Sequence, residues 1–340
     1  MVRRALLVLG AVLPLLAVTA CGGAQSRSSA GAASSATGPV TVEDCAGRAV
    51  TFGTMPERVV ALDGYAAQAL VRLGLADKVV GTGFPAPFAA DTSPHREQLA
   101  KIPVLSDKPP VTEVVAAQRP DVVVTAFSAF GGPPGSPKDA DLTTMGVKGL
   151  TACMPGGGDA GGGGALTDLT PTYDYLRKLG AVFRVPDRAE QVVSELRARA
   201  RAVADRVGPA GAKPRVLVLQ DNPVAGQPIQ TAGVNTIAHA LITMAGGQSL
   251  FTDISSMHAE VSPEQVVQRD PEVIWVVTDY TFAKVRGPEL VDAVKDNPLL
   301  ANTTAAKRGR IVSTSQFRVS FPSPLNVDGL EQLATQMRGG

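Results

Sequence analysis

Two stretches decide the fold: VTEVVAAQRPDVVVT at residues 111–125 and VSPEQVVQRDPEVIWVV at residues 261–277. In both, a glutamate precedes a proline by seven residues, and a run of β-branched or aromatic residues follows the proline. Each stretch predicts a short helix with Thr112 or Ser262 as its N-cap, a break at the proline and then a buried strand. The chain therefore repeats one helix and strand unit in its two halves.

Further runs of β-branched residues lie outward from these stretches and alternate with helical patterns. The predicted strands are 58–62, 78–82, 121–125 and 148–152 in the first half, and 215–220, 273–277 and 310–313 in the second. Such alternation is typical of α/β layers with mostly parallel sheets. The predicted fold class is therefore α/β, with two Rossmann-like lobes that each contain a mostly parallel sheet.

A long helical pattern separates the two lobes. Residues 187–207 contain no Gly or Pro, and a rise of about 1.5 Å per residue makes this stretch about 30 Å long. A helix of that length can cross from one lobe to the next. The predicted organisation is an N-terminal lobe at 40–185, an interlobe helix at 186–212 and a C-terminal lobe at 213–340.

The N-terminus has the pattern of an export signal followed by a tether. Two arginines precede an apolar run at 5–18, which is shorter than the roughly 20 apolar residues of a membrane-spanning helix. We predict a signal peptide at 1–20, with Cys21 directly after it. Residues 21–39, rich in Gly, Ala and Ser, then form a flexible tether. The alternative is an ordinary signal peptide, in which the position of Cys21 directly after it is a coincidence.

Charge and motif content argue against several classes of function. The net charge is +1 and no basic cluster lies in the exported part, so no nucleic acid partner is expected. His95, His239 and His258 are widely spaced, which argues against a zinc or manganese cage. The motifs of serine hydrolases and zinc proteases are missing from the sequence, and nothing in it brings the carboxylates of Asp63 and Asp279 together for acid and base catalysis.

Two cysteines remain after Cys21, namely Cys45 and Cys153. An exported protein meets oxidising conditions, so we predict a disulfide between them. Such a bridge would attach the start of the exported chain to the N-terminal lobe. The alternative is two unrelated buried thiols, because the sequence does not fix the distance between them.

The order of these features resembles the periplasmic binding proteins that take up siderophores, haem and cobalamin. The stretches that carry the resemblance are PERVVAL at 56–62, LVRLGLADKVVG at 70–81, both glutamate units, and NVDGLEQL at 326–333. The tetrapeptide Val-Thr-Ala-Cys that ends at Cys21 likewise resembles the bacterial lipoprotein box, which implies acylation of that cysteine.

The resemblance implies a solute-binding lipoprotein of an ABC importer, held at the extracytoplasmic face of the cell membrane. Its ligand, a ferric siderophore or, alternatively, cobalamin or haem, would lie between the lobes, and no resident cofactor is expected. One glutamate on each lobe, here Glu113 and Glu264, would form salt bridges with arginines of a permease dimer that works with ATPase subunits. The alternative is that each glutamate only stabilises its own helix, through a favourable interaction with the helix dipole. The protein itself is expected to be a monomer.

Candidate ligand residues follow the predicted strands, because ligands of parallel α/β lobes bind beyond the carboxyl ends of the strands. The candidates are Asp63, Tyr65, Phe84, Phe127, Ser128 and Phe130 in the first lobe, and Asn222, Tyr280, Gln316, Phe317 and Arg318 in the second. The aromatic rings would pack on a bulky chelate, and Arg318 would meet an anionic iron complex. Ordinary loop packing is the alternative for each. Two other classes stay open, an exported enzyme and a binding module that senses without transport.

Overall fold

Short runs of β-branched residues form the strands of this chain, whose computed structural model describes residues 38–132, 134–155, 164–208, 211, 213–256 and 259–338. The strands are β1 (Val40–Glu43), β2 (Ala49–Phe52), β3 (Val59–Ala61), β4 (Val79–Gly83), β5 (Val104–Ser106), β6 (Val122–Thr125), β7 (Lys148–Thr151), β8 (Arg215–Leu219), β9 (Ile229–Thr231), β10 (Gln248–Ser249), β11 (Ala259–Val261), β12 (Val273–Val277) and β13 (Ile311–Thr314). The signal peptide, Cys21 and His258 lie outside the described residues.

Helices separate most of these strands, and two short 3-10 segments lie on either side of β4. They are α1 (Gly64–Arg72), α2 (Arg96–Leu99), α3 (Thr112–Ala117), α4 (Asp139–Met145), α5 (Thr170–Val182), α6 (Pro186–Val207), α7 (Ile237–Met244), α8 (Pro263–Arg269), α9 (Gly287–Lys295), α10 (Thr304–Lys307), α11 (Gln316–Val319) and α12 (Asn326–Gln336). Among the described residues, none of them is long and apolar enough to cross a membrane.

Two parallel sheets form the centres of the two lobes. The N-terminal sheet has the order β5-β4-β3-β6-β7, with Val60 opposite Val123 in the register of β3 and β6. The C-terminal sheet has the order β10-β8-β12-β13, with Trp275 opposite Val218 in the register of β12 and β8. The prediction of an α/β fold with mostly parallel sheets is confirmed.

The long helix α6 lies between the two sheets along the chain and packs on helices from both lobes. Its 22 residues correspond to about 33 Å. Residues three, four or seven apart form its buried stripe, which consists of Ala189, Val193, Leu196, Ala200 and Val203. Beside this stripe, Arg199 forms salt bridges of 2.6 Å with both Asp328 and Glu331 of α12. One hydrophobic cluster consequently extends through both lobes by way of α6.

A hairpin of β1 and β2 packs beside the N-terminal sheet and is attached to it covalently. Cys45, in the turn after β1, is bonded to Cys153 just beyond β7, with the two Cα atoms 5.1 Å apart. The ammonium group of Lys178 on α5 donates to the Cys153 Sγ at 3.2 Å. The bridge therefore anchors the N-terminal hairpin where β7 and α5 meet.

One of the two predicted helix caps, and several very short strands, differ from the expectations of the sequence. Ser262 caps α8 as predicted, accepting a hydrogen bond from the Gln265 N–H. The predicted cap Thr112 is instead the first residue of α3, and Val111 takes the N-cap position without a side-chain bond. Strands β5, β9, β10 and β11 have only two or three residues each, too few for a recognisable pattern.

Candidate ligand cleft

A cleft of about 770 Å³ lies between the two lobes. This volume is in the usual range of small-molecule sites. A second cavity of about 450 Å³ borders Arg199, but the charged groups there are already paired with one another. The cleft between the lobes is therefore the candidate functional site.

The position of the cleft follows from the topology of the sheets. In the N-terminal sheet the chain order reverses between β3 and β6, and in the C-terminal sheet it reverses between β8 and β12. Loops on either side of such a switch point diverge and leave a crevice at the carboxyl ends of the strands. Phe127 follows β6 and Gln220 follows β8, and both line the cleft. The cleft therefore combines the crevice at the carboxyl ends of one sheet with the crevice at the carboxyl ends of the other.

Aromatic side chains from both lobes form the walls of the cleft. They are Tyr65, Phe84 and Phe127 from the N-terminal lobe, and Tyr280, Phe282 and Phe321 from the C-terminal lobe. At the floor the Tyr65 and Phe321 ring centroids are 5.4 Å apart, and those of Phe127 and Phe321 are 4.6 Å apart. Edge contacts of this kind add to the stability that burial of the rings provides. The lobes thus touch each other directly beneath the cleft.

Phe84 adopts a backbone conformation that is rare for a residue with a side chain. Its φ angle is +42°, in the left-handed region. Its N–H donates to the Ser106 and Lys108 carbonyls, and its own carbonyl accepts from the Gly64 N–H at 3.0 Å. Such strain costs on the order of 1 kcal/mol or more and persists only when the surroundings enforce it. The strained backbone directs this ring into the cleft.

Two aspartates, the buried Asp63 and the half-buried Asp279, brace the loops beneath the cleft. Asp63 caps α1 through the Ala66 N–H and also accepts from the Thr125 hydroxyl at 2.6 Å. Asp279 of the other lobe accepts from the Ser315 hydroxyl at 2.5 Å and the Gln316 N–H at 2.6 Å. Burial raises the pKa of Asp63, although its hydrogen bonds favour the ionised form. Both carboxylates thus accept hydrogen bonds from residues of their own lobe.

The rim of the cleft on the C-terminal lobe is aromatic and accessible. Phe282 is 81% exposed, and its ring contacts that of Tyr280 edge to face with centroids 5.6 Å apart. Partial burial raises the pKa of the Tyr280 phenol, so it stays protonated at neutral pH. An exposed large aromatic side chain at a cleft is typical of a ligand-binding surface.

The comparison with known proteins agrees with this geometry. Residues 59–316 match the family described as periplasmic binding protein. The chain belongs to this family. Its members are extracytoplasmic solute-binding proteins rather than enzymes, in agreement with the resemblance found in the sequence.

Three relatives of this binding protein illustrate the range of the family. The cobalamin-binding protein of Halobacterium salinarum is 28% identical over 302 residues, covering 87% of this chain and 73% of that protein. The uncharacterized ABC transporter substrate-binding lipoprotein YvrC of Bacillus subtilis is 23% identical over 300 residues, 87% and 84% of the two chains. The solved structure of an ABC-type Fe3+-hydroxamate transport system from Saccharomonospora viridis superposes with a TM-score of 0.71 at 28% identity, covering 88% and 98%.

Five of the predicted ligand residues line the cleft of this binding protein. They are Tyr65, Phe84, Phe127, Tyr280 and Gln316. The Gln316 carboxamide is already bonded to Thr281, donating to its hydroxyl at 2.7 Å and accepting from its N–H. Phe84, Phe127 and Tyr280, which are only partly buried, therefore offer the larger free surface to a ligand.

The other predicted residues of the N-terminal lobe lie elsewhere. Asp63 is fully buried as a helix cap, as described above. Phe130 packs against the core cluster that contains Val123 and Leu142, and it does not line the cleft. Ser128 does not belong to the cleft lining, and its hydroxyl is buried. These three predictions are corrected, because following a strand does not determine where a side chain points.

In the C-terminal lobe three predictions are likewise corrected. The Asn222 side chain accepts a hydrogen bond from the Asn297 amide at 2.7 Å, outside the cleft lining. Phe317 is buried behind the lining, with its ring centroid 6.1 Å from that of Tyr65. Arg318 donates to Gln332 on α12 at 3.0 Å, so its cation is turned away from the cleft.

Several lining residues were not predicted from the sequence. They are Asp107 and Lys108 at the end of β5, Gln220 after β8, and Phe282 and Phe321 in loops of the C-terminal lobe. Gln220 was assigned to the end of the predicted strand 215–220, but β8 ends at Leu219, so Gln220 is the first residue after the strand. Phe321 lies in a loop rich in proline and serine, after a helix of one turn, where no strand marks its position.

Both predicted docking glutamates are exposed and stand in the first turn of their helices. Glu113 is the second residue of α3, and Glu264 is the second residue of α8. The Ser262 hydroxyl and the backbone at the start of α8 hold the pKa of Glu264 below its usual range. Its carboxylate is therefore fully ionised at neutral pH.

Proposed function

We propose that this protein is the solute-binding component of an ABC importer, and that it captures a metal chelate such as a ferric siderophore. The single observation that carries the proposal is the cleft of about 770 Å³ between two lobes, with aromatic walls contributed by both. Such a cleft suits a bulky ligand with large apolar faces. The chelate is cargo, and no resident cofactor or catalytic step is involved.

Delivery of the ligand would depend on Glu113 and Glu264. Each glutamate stands at the N-terminus of a helix that precedes a strand of its sheet, so it lies at the carboxyl edge of that sheet. The carboxyl edges of both sheets border the cleft. This topology supports two exposed carboxylates at the cleft side of the molecule, one on each lobe. They would pair with arginines of a permease dimer driven by its ATPase subunits.

The sequence around Cys21 supports a lipid anchor at the outer face of the cell membrane. Acylation of this cysteine after removal of the signal would leave the tether at 21–39 between the membrane and β1. Tethering would keep the lobes near the permease and raise their effective local concentration.

A second candidate ligand is a corrinoid. The cobalamin-binding protein of Halobacterium salinarum aligns over 87% of this chain, which favours this alternative specifically. A corrin macrocycle and a ferric siderophore share bulk and apolar faces, so the aromatic walls suit both. In either case the shared hydrophobic cluster and α6 restrict the lobes to a small hinge motion on binding.

Direct titration tests the proposal. The full-length protein in detergent is titrated in a calorimeter with a ferric trihydroxamate, cyanocobalamin and haemin, with the metal-free trihydroxamate as the control. We expect stoichiometric binding of at least one metal chelate with a dissociation constant of about 1 μM or below. Failure of every chelate to bind would contradict the proposed function.

A further inference from the structure

The cleft has an unusual charge distribution for a site that would bind a metal complex. Among its described lining residues the only charged side chains are Asp107 and Lys108, neighbours at the rim of the N-terminal lobe. Their charges cancel. The lining from the C-terminal lobe includes no charged residue in the part of the chain that the structure describes.

Two arginines that are near the cleft in sequence are engaged elsewhere. Arg318 is bonded to Gln332 on α12. Arg286, near the rim, donates to the main-chain carbonyls of Thr281 and Ala283. Neither guanidinium belongs to the cleft lining. A ligand at the floor of the cleft would therefore meet no cation from these side chains.

Beneath the floor the charge is negative. Asp63 and Asp279 belong to different lobes, and both act electrostatically on the phenol of Tyr65, which lines the cleft. Burial, and after it the two carboxylates, raises the pKa of Tyr65 well above its ordinary value. The floor is thus flanked by two carboxylates, and the described residues that line the cleft include no cation except Lys108 at the rim. Burying an unpaired anion in such surroundings is therefore unfavourable.

We propose that this cleft selects chelates whose outer surface carries no net negative charge, and rejects anionic ones. The inference rests on the proposed function and narrows its ligand class. Ferric trihydroxamates and cyanocobalamin have no net charge and satisfy this rule. Ferric tricatecholates, and haem with its two propionates, do not.

A pair of matched ligands tests the charge rule. A ferric trihydroxamate and a ferric tricatecholate built on the same triamine scaffold differ mainly in charge, and calorimetry gives the affinity of the full-length protein for each. We expect the uncharged complex to bind at least about tenfold more tightly. Equal affinity, or tighter binding of the tricatecholate, would overturn the charge rule and leave the proposed function standing. Absence of binding by both complexes, by cyanocobalamin and by haemin would overturn both.

A cation placed in the cleft provides the second arm of the test. Ser320 lines the cleft on the C-terminal lobe, whereas Val224 is exposed outside the lining. Ser320→Lys should reduce the preference for the uncharged ligand at least about threefold, while Val224→Lys should leave it unchanged. If Ser320→Lys fails to fold, Thr281→Lys at the rim replaces it. An identical preference in wild type, cleft variant and control would overturn the proposed electrostatic cause.

Discussion

The hydroxyl of Thr172 in α5 donates a hydrogen bond of 2.6 Å to the Asn326 Oδ1 at the start of α12. Asn326 is fully buried, and its amide donates to the carbonyls of Arg318 and Phe321. One side chain thus connects a helix of the N-terminal lobe, the loop that carries Phe321, and the last helix of the chain. The two lobes are joined through this buried network as well as through α6.

Replacement of Asn326 by leucine should therefore destabilise the protein markedly. The change leaves the Thr172 hydroxyl and two backbone carbonyls buried without their partner, so we expect the free energy of unfolding to fall by about 2–4 kcal/mol. Guanidinium unfolding followed by circular dichroism measures the change. Thr335→Val, at an exposed position of the same helix, serves as the control and should stay within about 0.5 kcal/mol of wild type. A similarly small loss in Asn326→Leu would show that the network does not hold the lobes together.

Two phenylalanines three residues apart should respond oppositely to truncation. Phe127 lines the cleft and Phe130 packs in a separate core cluster. Phe127→Ala should weaken binding of the best chelate by about tenfold, because the aromatic contact with the ligand is lost. Phe130→Ala should lower the melting temperature and leave affinity within about twofold. Calorimetry and thermal unfolding of both variants separate these effects, and the reverse pattern would place the ligand elsewhere.

The disulfide between Cys45 and Cys153 should contribute substantially to stability. It closes a loop with a sequence separation of 108 residues, and removal of such a bridge typically costs about 2–5 kcal/mol. The double variant Cys45→Ser and Cys153→Ser should unfold at a correspondingly lower denaturant concentration. Reducing agent should shift the wild type in the same direction without changing the variant. No shift in either experiment would contradict the assignment.

The stability of the fold should depend on pH through His239. This residue of α7 is buried, its ring lies 2.7 Å from the Ser249 hydroxyl, and burial lowers the pKa of the imidazole below its ordinary value of 6.5. The unfolded state therefore binds the proton first as the pH falls. The stabilising contribution is complete above about pH 6.5 and is lost as the pH falls toward the lowered pKa. Denaturant unfolding at pH 7.5 and 5.5 should show a larger decrease in wild type than in His239→Gln, and equal decreases would exclude this role.

Much of the fold can be predicted because its strands are marked by dense runs of branched residues. Strands β6 and β12 consist largely of valine, and every residue in them is buried, so the pattern of a central parallel strand is clear. The break between α5 and α6 is marked by Pro186. Strand β10 has only two residues, and pairing with β8, rather than its own sequence, makes it a strand.

The cleft is only partly predictable, because a sequence gives the order of residues and not the direction of their side chains. Asp63 follows β3 as a ligand residue would, but the unsatisfied N–H groups at the start of α1 bind its carboxylate instead. Arg318 stands in the short helix α11, and its guanidinium donates to Gln332 on α12 instead of entering the cleft. Phe321 enters the cleft because Asn326 holds the carbonyl of its loop, a contact that depends on the tertiary fold.

Charge reversal at Glu113 and Glu264 tests the central claim most directly. The measurement is uptake of a radioiron-loaded trihydroxamate by cells in which the double variant Glu113→Lys and Glu264→Lys replaces the wild-type protein. The matched control reverses two exposed acids on α6, Glu195→Lys and Asp205→Lys, with the same change in net charge. The account predicts that the glutamate variant binds the chelate with wild-type affinity but loses at least about tenfold in uptake, while the control transports normally. Normal uptake by the glutamate variant, with the chelate still bound, would contradict it.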